Sequence, residues 1–551
     1  MPDRDLTPGQ LESLFRRGKL SRRQFVGGLA ALGMSATSLE LLLGTEASQI
    51  GDAATPVPQY VVLITLDAFR ADYQQLAPMP VLDGLKLQGI SYDQAWVGQV
   101  ESETPTSHTT LSTGSLPKND GIIGFEWADP KSHKKVLDGW PPGVLTGKMQ
   151  ADIKASGADS LPAAIKRANR QAKVVALSSE KVYAAGGMGG WAADYILYHK
   201  RTAPHNQTLL PQGVPGQTPP AHFLSSLGLT DHLPMKHFSD WDWLSTELAL
   251  KAFKAFRPRL LMVNLPSGDV YGHPYGGPAS PGIFRQIVAG IDRNIGRIVK
   301  AYQDAGIYEQ TLFVVVGDHG MVPNDREVWG SATQDAVTKA GGTYVFHTGG
   351  TAADIYIANP AKAGVVAAGQ LQIPNVVAAY YKVKTKSGYE YAPAPGQSID
   401  PALDAANRYF VNTFVGPSAP DVFAAFRENT IGRDQKVAYG EHGGVNWGAQ
   451  HVPLVIAGPG VNQAVRSSFP ARLVDVAPTI LRVLGIKPLR MDGTILADAV
   501  AGATAAEVAA QTTLGQSLTA YQNALIAQSV DNIEEDQKLG MLPPPPAKPV
   551  P

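Results

Sequence analysis

Three segments of the chain combine an unbroken apolar run with an aspartate at or shortly after its end. QYVVLITLDAF ends its run at Asp67, and RLLMVNLPSGD reaches Asp269. In TLFVVVGDHGM, Asp318 and His319 follow the run. Apolar runs without polar alternation are typical of strands that are buried on both faces of a parallel sheet. These segments therefore constrain the chain to an α/β fold.

Segments with helical periodicity lie between such strands. One apolar helical face is formed by Ile287, Val288, Ile291, Ile295, Ile298 and Val299. Further strands are predicted at AKVVALSS and HVPLVIAGPGV, and further helices at MPVLDGLKLQGI, SLPAAIKRANR and LVDVAPTILRVLGI. This alternation predicts three layers, α/β/α, around a mostly parallel central sheet. The acids then lie at the carboxyl ends of the strands, where such sheets bind ligands.

The domain organisation is predicted from composition. Blocks near 126–160, 195–240 and 370–430 are richer in glycine, proline and polar residues. We interpret them as cap insertions in one catalytic domain over 55–530, because no internal repeat marks separate domains. Residues 531–551 end in LGMLPPPPAKPVP and are predicted to be a disordered tail, because proline-rich segments do not pack.

The N-terminal segment 1–54 resembles a twin-arginine export signal. LSRRQFVGGLAALG places Arg22 and Arg23 before a moderately apolar run. Glycines and Glu40 interrupt that run, so no stable membrane anchor is expected. The segment predicts a partner, the twin-arginine export machinery, and a periplasmic or secreted protein. An amphipathic surface helix with two solvated arginines is the alternative.

Composition limits the chemistry that the chain can perform. There is no cysteine, which excludes disulfides, zinc–thiolate sites and cysteine nucleophiles. The 47 lysines and arginines balance 48 aspartates and glutamates, so no overall field attracts nucleic acid. A metal site must therefore use oxygen and imidazole ligands, which suit zinc and also manganese or iron.

Six acids and histidines at strand ends or in glycine-flanked loops are candidate ligands. They are Asp67, Asp269, His273, Asp318, His319 and His442. A single strand-end aspartate is more often a helix cap, but the conjunction of six at one edge favours metal binding. Six ligands exceed the needs of one tetrahedral ion, whereas two ions would use them all, as in paired-metal phosphoryl transfer.

A hydroxyl-rich stretch, VESETPTSHTTLSTGSLP at 100–117, lies where a loop is predicted to turn into a helix. A hydroxyl at a helix N-terminus is well placed to attack phosphorus, because the helix amides favour a phosphate. Thr104, Thr106 and Ser107 all meet this condition, and each would also serve as a helix N-cap. The residues alone do not select the nucleophile.

Together these motifs resemble the alkaline phosphatase superfamily, in particular its nucleotide pyrophosphatase/phosphodiesterase branch. The family pattern T-x-x-x-H-x-x-x-x-T-G corresponds to Thr104, His108, Thr113 and Gly114. This resemblance implies that Thr104 is the catalytic nucleophile. LPKNDGIIG and the late MDGTIL extend the resemblance over most of the chain.

The same resemblance implies two divalent metal ions, with zinc favoured. The family motifs D-x-x-G-H, D-H-G-M and a late H-G correspond to residues 269–273, 318–321 and 442–443. One ion is implied at Asp269, His273 and His442. The other is implied at Asp67, Asp318, His319 and the oxygen of Thr104. His451, directly before VPLVIAGPG, is the alternative to His442 as the last ligand.

Three positions depart from the family pattern. Phe125 stands where the family usually carries an asparagine that donates to a phosphate oxygen, and Ser107 replaces an asparagine of the phosphodiesterase members. Phosphomonoesterase relatives carry a Lys-x-Arg pair, of which only Lys181 is present. Parts of both the monoesterase and the phosphodiesterase patterns are therefore missing, which leaves the choice between monoesters and diesters open and leaves room for a member without turnover.

The resemblance implies an exported two-zinc hydrolase of small-molecule phosphate esters, in which Thr104 forms a covalent intermediate. A phosphodiester or pyrophosphate substrate is favoured over a monoester. An alkaline phosphomonoesterase and a metal-binding member without turnover are the alternatives. An arylsulfatase is disfavoured because TPTSH lacks the formylglycine motif, and a phosphoglycerate mutase is disfavoured by the export signal.

Replacing Arg22 and Arg23 with lysine should leave the protein in the cytoplasm, because ammonium groups do not reproduce the planar guanidinium pair. Cell fractionation measures the outcome. The neighbouring pair Arg16 and Arg17 offers a matched control, since its replacement by lysine should leave export unchanged. Normal export of the Arg22→Lys/Arg23→Lys protein would contradict the predicted signal.

Overall fold

The structure, a computed structural model, describes residues 57–201, 209–227, 237–433 and 439–538. The predicted signal segment 1–54 and the prolines of the predicted tail lie outside these residues. Among the helices that are described, none combines the length and apolar character needed to cross a membrane.

The strands and helices are numbered in chain order. The strands are β1 Tyr60–Leu66, β2 Gly89–Tyr92, β3 Trp127–Ala128, β4 Lys135–Val136, β5 Val174–Ser178, β6 Tyr195–Arg201, β7 Leu209–Gly213, β8 Leu260–Leu265, β9 Thr311–Gly317, β10 Val322–Pro323, β11 Arg326–Trp329, β12 Tyr344–Thr348, β13 Ala352–Ile357, β14 Val376–Thr385, β15 Gly388–Pro393, β16 Val422–Phe426, β17 Thr430–Arg433, β18 Gly440–Glu441, β19 Leu454–Ala457 and β20 Val465–Ser467. The α-helices are α1 Pro80–Leu87, α2 Thr104–Thr113, α3 Pro117–Asp120, α4 Pro141–Leu145, α5 Lys148–Ser156, α6 Leu161–Ala168, α7 Val182–Gly189, α8 Ala221–Leu227, α9 Asp240–Phe256, α10 Ser267–Tyr275, α11 Pro281–Asp304, α12 Gly330–Lys339, α13 Ala363–Gln370, α14 Pro401–Phe414, α15 Trp447–Gln450, α16 Val476–Val483 and α17 Ala505–Lys538. Short 3-10 helices span Ala71–Gln75, Gly277–Ala279, Tyr308–Gln310, Pro360–Lys362 and Leu473–Asp475.

A nine-stranded sheet with the order β20-β2-β19-β9-β1-β8-β5-β6-β7 forms the centre of the fold. The strands β9, β1, β8, β5 and β6 run parallel to one another, whereas β19 and β7 pair antiparallel with their neighbours. Along β1, Val61 and Leu63 pack into one apolar core, while Val62 and Ile64 pack into another. The predicted three-layer α/β/α fold with a mostly parallel sheet is confirmed.

The register of the central strands brings their carboxyl ends to one level. Leu66, the last residue of β1, pairs with Leu265 of β8 on one side and with Gly317 of β9 on the other. The next residues of these strands therefore emerge side by side. The predicted grouping of acids at one edge follows directly from this register.

A second, five-stranded sheet has the order β12-β13-β16-β14-β15 and is antiparallel throughout. It lies between β9 and β19 in the chain and has an apolar core of its own, which includes Ile355 and Val366. The insertion predicted near 370–430 is part of this sheet, but the sheet begins earlier, at Tyr344.

Two predicted boundaries differ from the structure. The segment predicted as an insertion from 195 begins with β6 and β7, which belong to the central sheet. They lie at its edge. The strand YILYHKR was not predicted, because its polar residues interrupt the apolar pattern. The final helix continues to Lys538, into the predicted tail, because DNIEEDQK contains good helix formers and no proline.

Candidate active site

The hydroxyl-rich helix α2 begins at Thr104, and every residue in it is buried. Some of its hydroxyls have internal partners: Thr109 Oγ1 donates to Pro105 O over 2.7 Å, and Ser112 Oγ donates to Met188 O over 2.6 Å. Thr106 Oγ1 and Ser107 Oγ are buried and make no hydrogen bond. The N-cap residue, Glu103, makes no side-chain capping bond. Pro105 has no N–H and Ser107 N donates to Glu103 O over 2.9 Å, so the amides of Thr104 and Thr106 are the ones that this helix start leaves without a side-chain cap.

The first group of candidate ligands, the threonine-side cluster, comprises Asp67, Asp318 and His319 around Thr104. One ligand atom from each of the three lies within 4.8 Å of the others. Thr104 Oγ1 is 3.2 Å from His319 Nε2 and 3.5 Å from Asp67 Oδ1. His319 Nδ1 donates to Gly320 O over 2.9 Å, which leaves Nε2 to face the acids.

The backbone binds only one of the two carboxylate oxygens of Asp318. Its Oδ1 accepts from the backbone nitrogens of Ala68, over 3.0 Å, and of His319, over 2.8 Å. Its Oδ2 is buried and makes no hydrogen bond. This oxygen lies 3.5 Å from His319 Nε2, so it points into the threonine-side cluster.

The second group, the histidine-side cluster, comprises Asp269, His273 and His442. Helix α10 carries Asp269 and His273 four residues apart, on one helical face. Asp269 Oδ1 lies 3.1 Å from His442 Nε2 and 3.3 Å from His273 Nε2. Each histidine directs Nδ1 to a backbone carbonyl, His442 to Ser102 over 3.2 Å and His273 to Gly440 over 3.0 Å.

The two clusters are in contact with each other. The rings of His319 and His442 stack with their centroids 3.9 Å apart. Lys181, which is buried, hydrogen-bonds Asp269 Oδ2 and lies 3.7 Å from Asp67 Oδ1. All seven residues predicted for the site therefore lie together, and Lys181 joins them.

The electrostatics of the clusters fit divalent cations. Burial raises the pKa of Asp67 to about 7, and burial together with Asp67 raises the pKa of Asp318. Burial alone would raise the pKa of Asp269 as well, but Lys181 lowers it. Burial lowers the pKa of His273, but Asp269 and Glu441 outweigh it and raise that pKa to about 10. Lys181 and His273 together still offer fewer positive charges than the three buried carboxylates need, and Asp269 Oδ1 and Asp318 Oδ2 make no hydrogen bond. Carboxylate oxygens and imidazole Nε2 atoms are the donors that divalent zinc binds.

His451 lies outside both clusters. Its Nε2 donates to Asp93 O over 2.9 Å, and its ring stacks on Trp447 with a centroid distance of 4.6 Å. Both contacts hold it between β2 and α15, away from the acids. Of the two histidines that the sequence left open, the structure brings His442 to the site.

An aromatic wall, formed by Phe125, Trp140 and Tyr183, adjoins the start of α2. The Phe125 ring lies 4.3 Å from that of Trp140 and 5.0 Å from that of Tyr183. Phe125 N donates to Glu103 Oε2 over 3.2 Å, next to Thr104. Tyr183 stands two residues after Lys181, where the monoesterase pattern has arginine.

Sequence reasoning missed several buried polar residues around these clusters, among them Thr65, Ser178 and Asn264. A signal for Asn264 existed, because it is the one amide within the apolar run RLLMVNL. An amide in a strand that is buried on both faces requires hydrogen-bond partners.

The fold is alkaline phosphatase-like, as comparison with solved structures shows. The structure superposes on crystal structures of the alkaline phosphatase PafA with a TM-score of 0.64 at 16% identity, covering 82% of this chain and 100% of that chain. It superposes on murine ectonucleotide pyrophosphatase / phosphodiesterase 5 with a TM-score of 0.53 at 17% identity, covering 79% of this chain and 97% of that chain. At these identities the likeness shows the fold.

The chain belongs to the type I phosphodiesterase / nucleotide pyrophosphatase family, because the sequence model of that family matches residues 61–444. Alkaline phosphatase PhoK of a Sphingomonas species is 32% identical over 155 residues, 26% of this chain and 27% of that protein. An uncharacterized pyrophosphatase/phosphodiesterase of Schizosaccharomyces pombe is 22% identical over 271 residues, 49% and 46% of the two chains. The chain thus spans about half, or less, of the length of these relatives. The predicted family is confirmed, and the predicted class, a metal-dependent hydrolase of phosphoric esters, agrees with it.

Replacing His442 with alanine should lower the metal content of the dialysed protein, because it removes one of the three donors of the histidine-side cluster. Metal analysis after zinc loading and dialysis measures the effect. His451→Ala is the matched control and should retain the parent content, since His451 contacts neither cluster. Loss of metal in His451→Ala but not in His442→Ala would contradict the assignment.

Proposed function

We propose that the protein is an exported hydrolase of phosphoric esters that uses two divalent ions, preferably zinc, and Thr104 as nucleophile. The observation that carries this proposal is the position of the Thr104 hydroxyl. It lies at the uncapped start of α2 and within 3.5 Å of both Asp67 Oδ1 and His319 Nε2. A hydroxyl in this position meets phosphate-binding amides and metal ligands at once.

The ligands divide between the two clusters. Asp67, Asp318 and His319 would hold one ion beside Thr104, and Asp269, His273 and His442 would hold the other. When bound, such a pair supplies Lewis-acid stabilisation of phosphoryl oxygens and lowers the pKa of a nucleophilic hydroxyl. The buried carboxylates that lack compensation in the protein itself support this role.

The chain's own residues would then carry out a two-step displacement. Thr104 Oγ attacks phosphorus, the bond to the leaving-group oxygen breaks, and the hydroxyl proton departs with the leaving group as its alcohol, which leaves a phosphothreonine or its diester. Water attacks the same phosphorus in the second step, and the Thr104 oxygen leaves and regains a proton. The amides at the start of α2 hold the phosphoryl oxygens through both steps.

The aromatic wall supports a diester or pyrophosphate substrate. A monoester presents an additional charged oxygen, which requires a polar or cationic partner. Tyr183 occupies the position where the monoesterase pattern offers arginine to such an oxygen, and Phe125 occupies the position where the family usually offers asparagine to a phosphate oxygen. An organic group on phosphorus would instead pack against these rings.

A phosphomonoesterase is the second candidate, favoured by Lys181. This lysine is present and buried at the junction of the two clusters. Among the relatives, PhoK and PafA are alkaline phosphatases, whereas an inactive threonine-to-alanine variant of murine ectonucleotide pyrophosphatase / phosphodiesterase 5 binds AMP. The preference between substrates is therefore the feature to measure.

Replacing Thr104 with alanine should abolish turnover, because the covalent step loses its oxygen and one cluster loses a contact. The expected loss is roughly a thousandfold or more, as for a member of a catalytic unit. Thr104→Ser should keep partial activity, since the oxygen is retained. Hydrolysis of bis-p-nitrophenyl phosphate with added zinc measures both. If Thr104→Ala retains activity within tenfold of the parent, the nucleophile proposed here is wrong.

Zinc-loaded protein should hydrolyse bis-p-nitrophenyl phosphate with a higher kcat/KM than p-nitrophenyl phosphate. Phe125→Asn should shift this ratio toward the monoester by about tenfold, because the amide adds a hydrogen bond to a charged oxygen. Phe125→Leu is the matched control, since it removes the ring without adding a donor.

Two outcomes would contradict the diester assignment. One is a higher kcat/KM of the parent protein for p-nitrophenyl phosphate, which would favour the assignment as a phosphomonoesterase. The other is an equal shift in Phe125→Asn and Phe125→Leu, which would assign the effect to lost packing. A parent that binds zinc but hydrolyses neither ester would favour a metal-binding member without turnover.

A further inference from the structure

A fully buried group of polar side chains, the asparagine–histidine network, adjoins the two clusters without contributing a predicted ligand. Its members are Thr65 of β1, His108 of α2, Ser178 of β5 and Asn264 of β8. Thr65 Oγ1 lies 2.9 Å from His108 Nε2, and Asn264 Nδ2 lies 3.2 Å from the same nitrogen. Ser178 Oγ donates to Asn264 Oδ1 over 2.8 Å. The network ties three central strands to the helix that begins at Thr104.

The network ends on three groups of the proposed site. His108 Nδ1 donates to the carbonyl oxygen of Thr104 over 2.8 Å. Asn264 Nδ2 donates to Asp67 Oδ2 over 2.9 Å. Ser178 Oγ accepts a hydrogen bond from the backbone nitrogen of Lys181 over 3.2 Å. The network therefore contacts the proposed nucleophile Thr104, the proposed metal ligand Asp67, and Lys181, which joins the two clusters.

The partners of His108 fix the roles of its ring nitrogens. His108 Nδ1 must donate to a carbonyl oxygen, so Nε2 is the acceptor in the neutral ring. Asn264 directs one amide hydrogen to Asp67, while its oxygen accepts from Ser178. Its other amide hydrogen and the Thr65 hydroxyl both lie within hydrogen-bond distance of His108 Nε2. Asp318 Oδ2 lies 3.3 Å from His108 Nδ1, on the same side as Thr104 O.

Asn264 determines which oxygen of Asp67 faces the threonine-side cluster. With Oδ2 bound by the amide, Oδ1 lies 3.5 Å from both Thr104 Oγ1 and His319 Nε2. An amide donor is neutral, so it orients the carboxylate without neutralising the charge that a cation would use. A lysine or arginine in its place would compete with the cation.

We propose that Asn264 and His108 are positioning residues, which hold Asp67 and Thr104 ready for metal binding and for attack. The inference rests on the proposed function, and it adds residues that touch neither the metal ions nor the substrate. Asn264 acts through the carboxylate of Asp67, and His108 acts through the backbone of Thr104. Removal of such outer partners commonly costs about 10- to 100-fold in metal affinity or activity.

The test for Asn264 is a zinc titration of metal-stripped protein against a chromogenic chelator. Asn264→Leu keeps the volume and removes both donors, and it should weaken one of the two zinc affinities at least about tenfold. Asn294→Leu is the matched control, because Asn294 is also buried but bonds within its own helix, to Gly290 O over 3.0 Å. It should bind zinc as the parent does.

The outcomes separate this inference from the proposed function. A parent that binds no zinc overturns the proposed function, and the inference with it. A parent that binds zinc, together with an Asn264→Leu protein of equal affinity, overturns the inference alone. If Asn264→Leu fails to fold, Ser178→Ala replaces it: the Asn264 amide then loses its anchor, and unchanged zinc affinity would overturn the inference.

The test for His108 compares two substitutions in steady-state kinetics. His108→Ala should lower kcat about tenfold or more with little change in KM, since it loosens the nucleophile and not the ground-state complex. His108→Asn places an amide donor near the position of Nδ1 and should recover most of the loss. Equal kcat values for the two variants, both folded by circular dichroism, would overturn the role of His108.

Discussion

The mutual repulsion of three buried aspartates is the constraint on which the arrangement of the site depends. Asp67 and Asp318 directly follow β1 and β9 at one level of the sheet, and Asp269 lies in α10, which follows β8. All three are buried. Isolated buried carboxylates are costly unless they are paired or bind a cation. The surroundings meet this cost only in part, through backbone amides, Asn264 and Lys181. The residual negative charge favours a divalent cation, and imidazole nitrogens complete each cluster.

Helix α2, which begins beside the buried aspartates, is packed in the core although its residues are mostly polar. Its sequence has almost no apolar residue, so hydrophobic burial does not explain its packed position. Several of its hydroxyls instead make internal hydrogen bonds, Thr109 with Pro105 O, Ser112 with Met188 O and Thr110 with the Gln99 side chain. The helix can therefore pass through the core with its amide terminus directed at the acids. Polar composition, which usually marks an exposed loop, here permits a buried helix end.

The sequence predicted the parts of the molecule that strong local patterns specify. The apolar runs before Asp67 and Asp318 located the central strands, and their parallel pairing placed the acids together. The choice between His442 and His451 could not be made in this way, because it depends on how a long insertion folds back. The strands of the second sheet were missed as a unit, since short antiparallel strands with mixed faces give weak patterns. Asn264 was overlooked because one polar residue does not interrupt an apolar run.

The position of the second sheet in the chain has a consequence for assembly. It is inserted between β9 and β19, which are antiparallel neighbours in the central sheet. The insertion has a core of its own, so it acts as a folded spacer and not as a flexible loop whose closure costs entropy. His442 follows this spacer, whereas Asp67 and Asp318 belong to the central strands. The other face of the second sheet, which includes Tyr380 and Phe423, packs into the same core as β1, so the position of His442 is coupled to the stability of the central sheet.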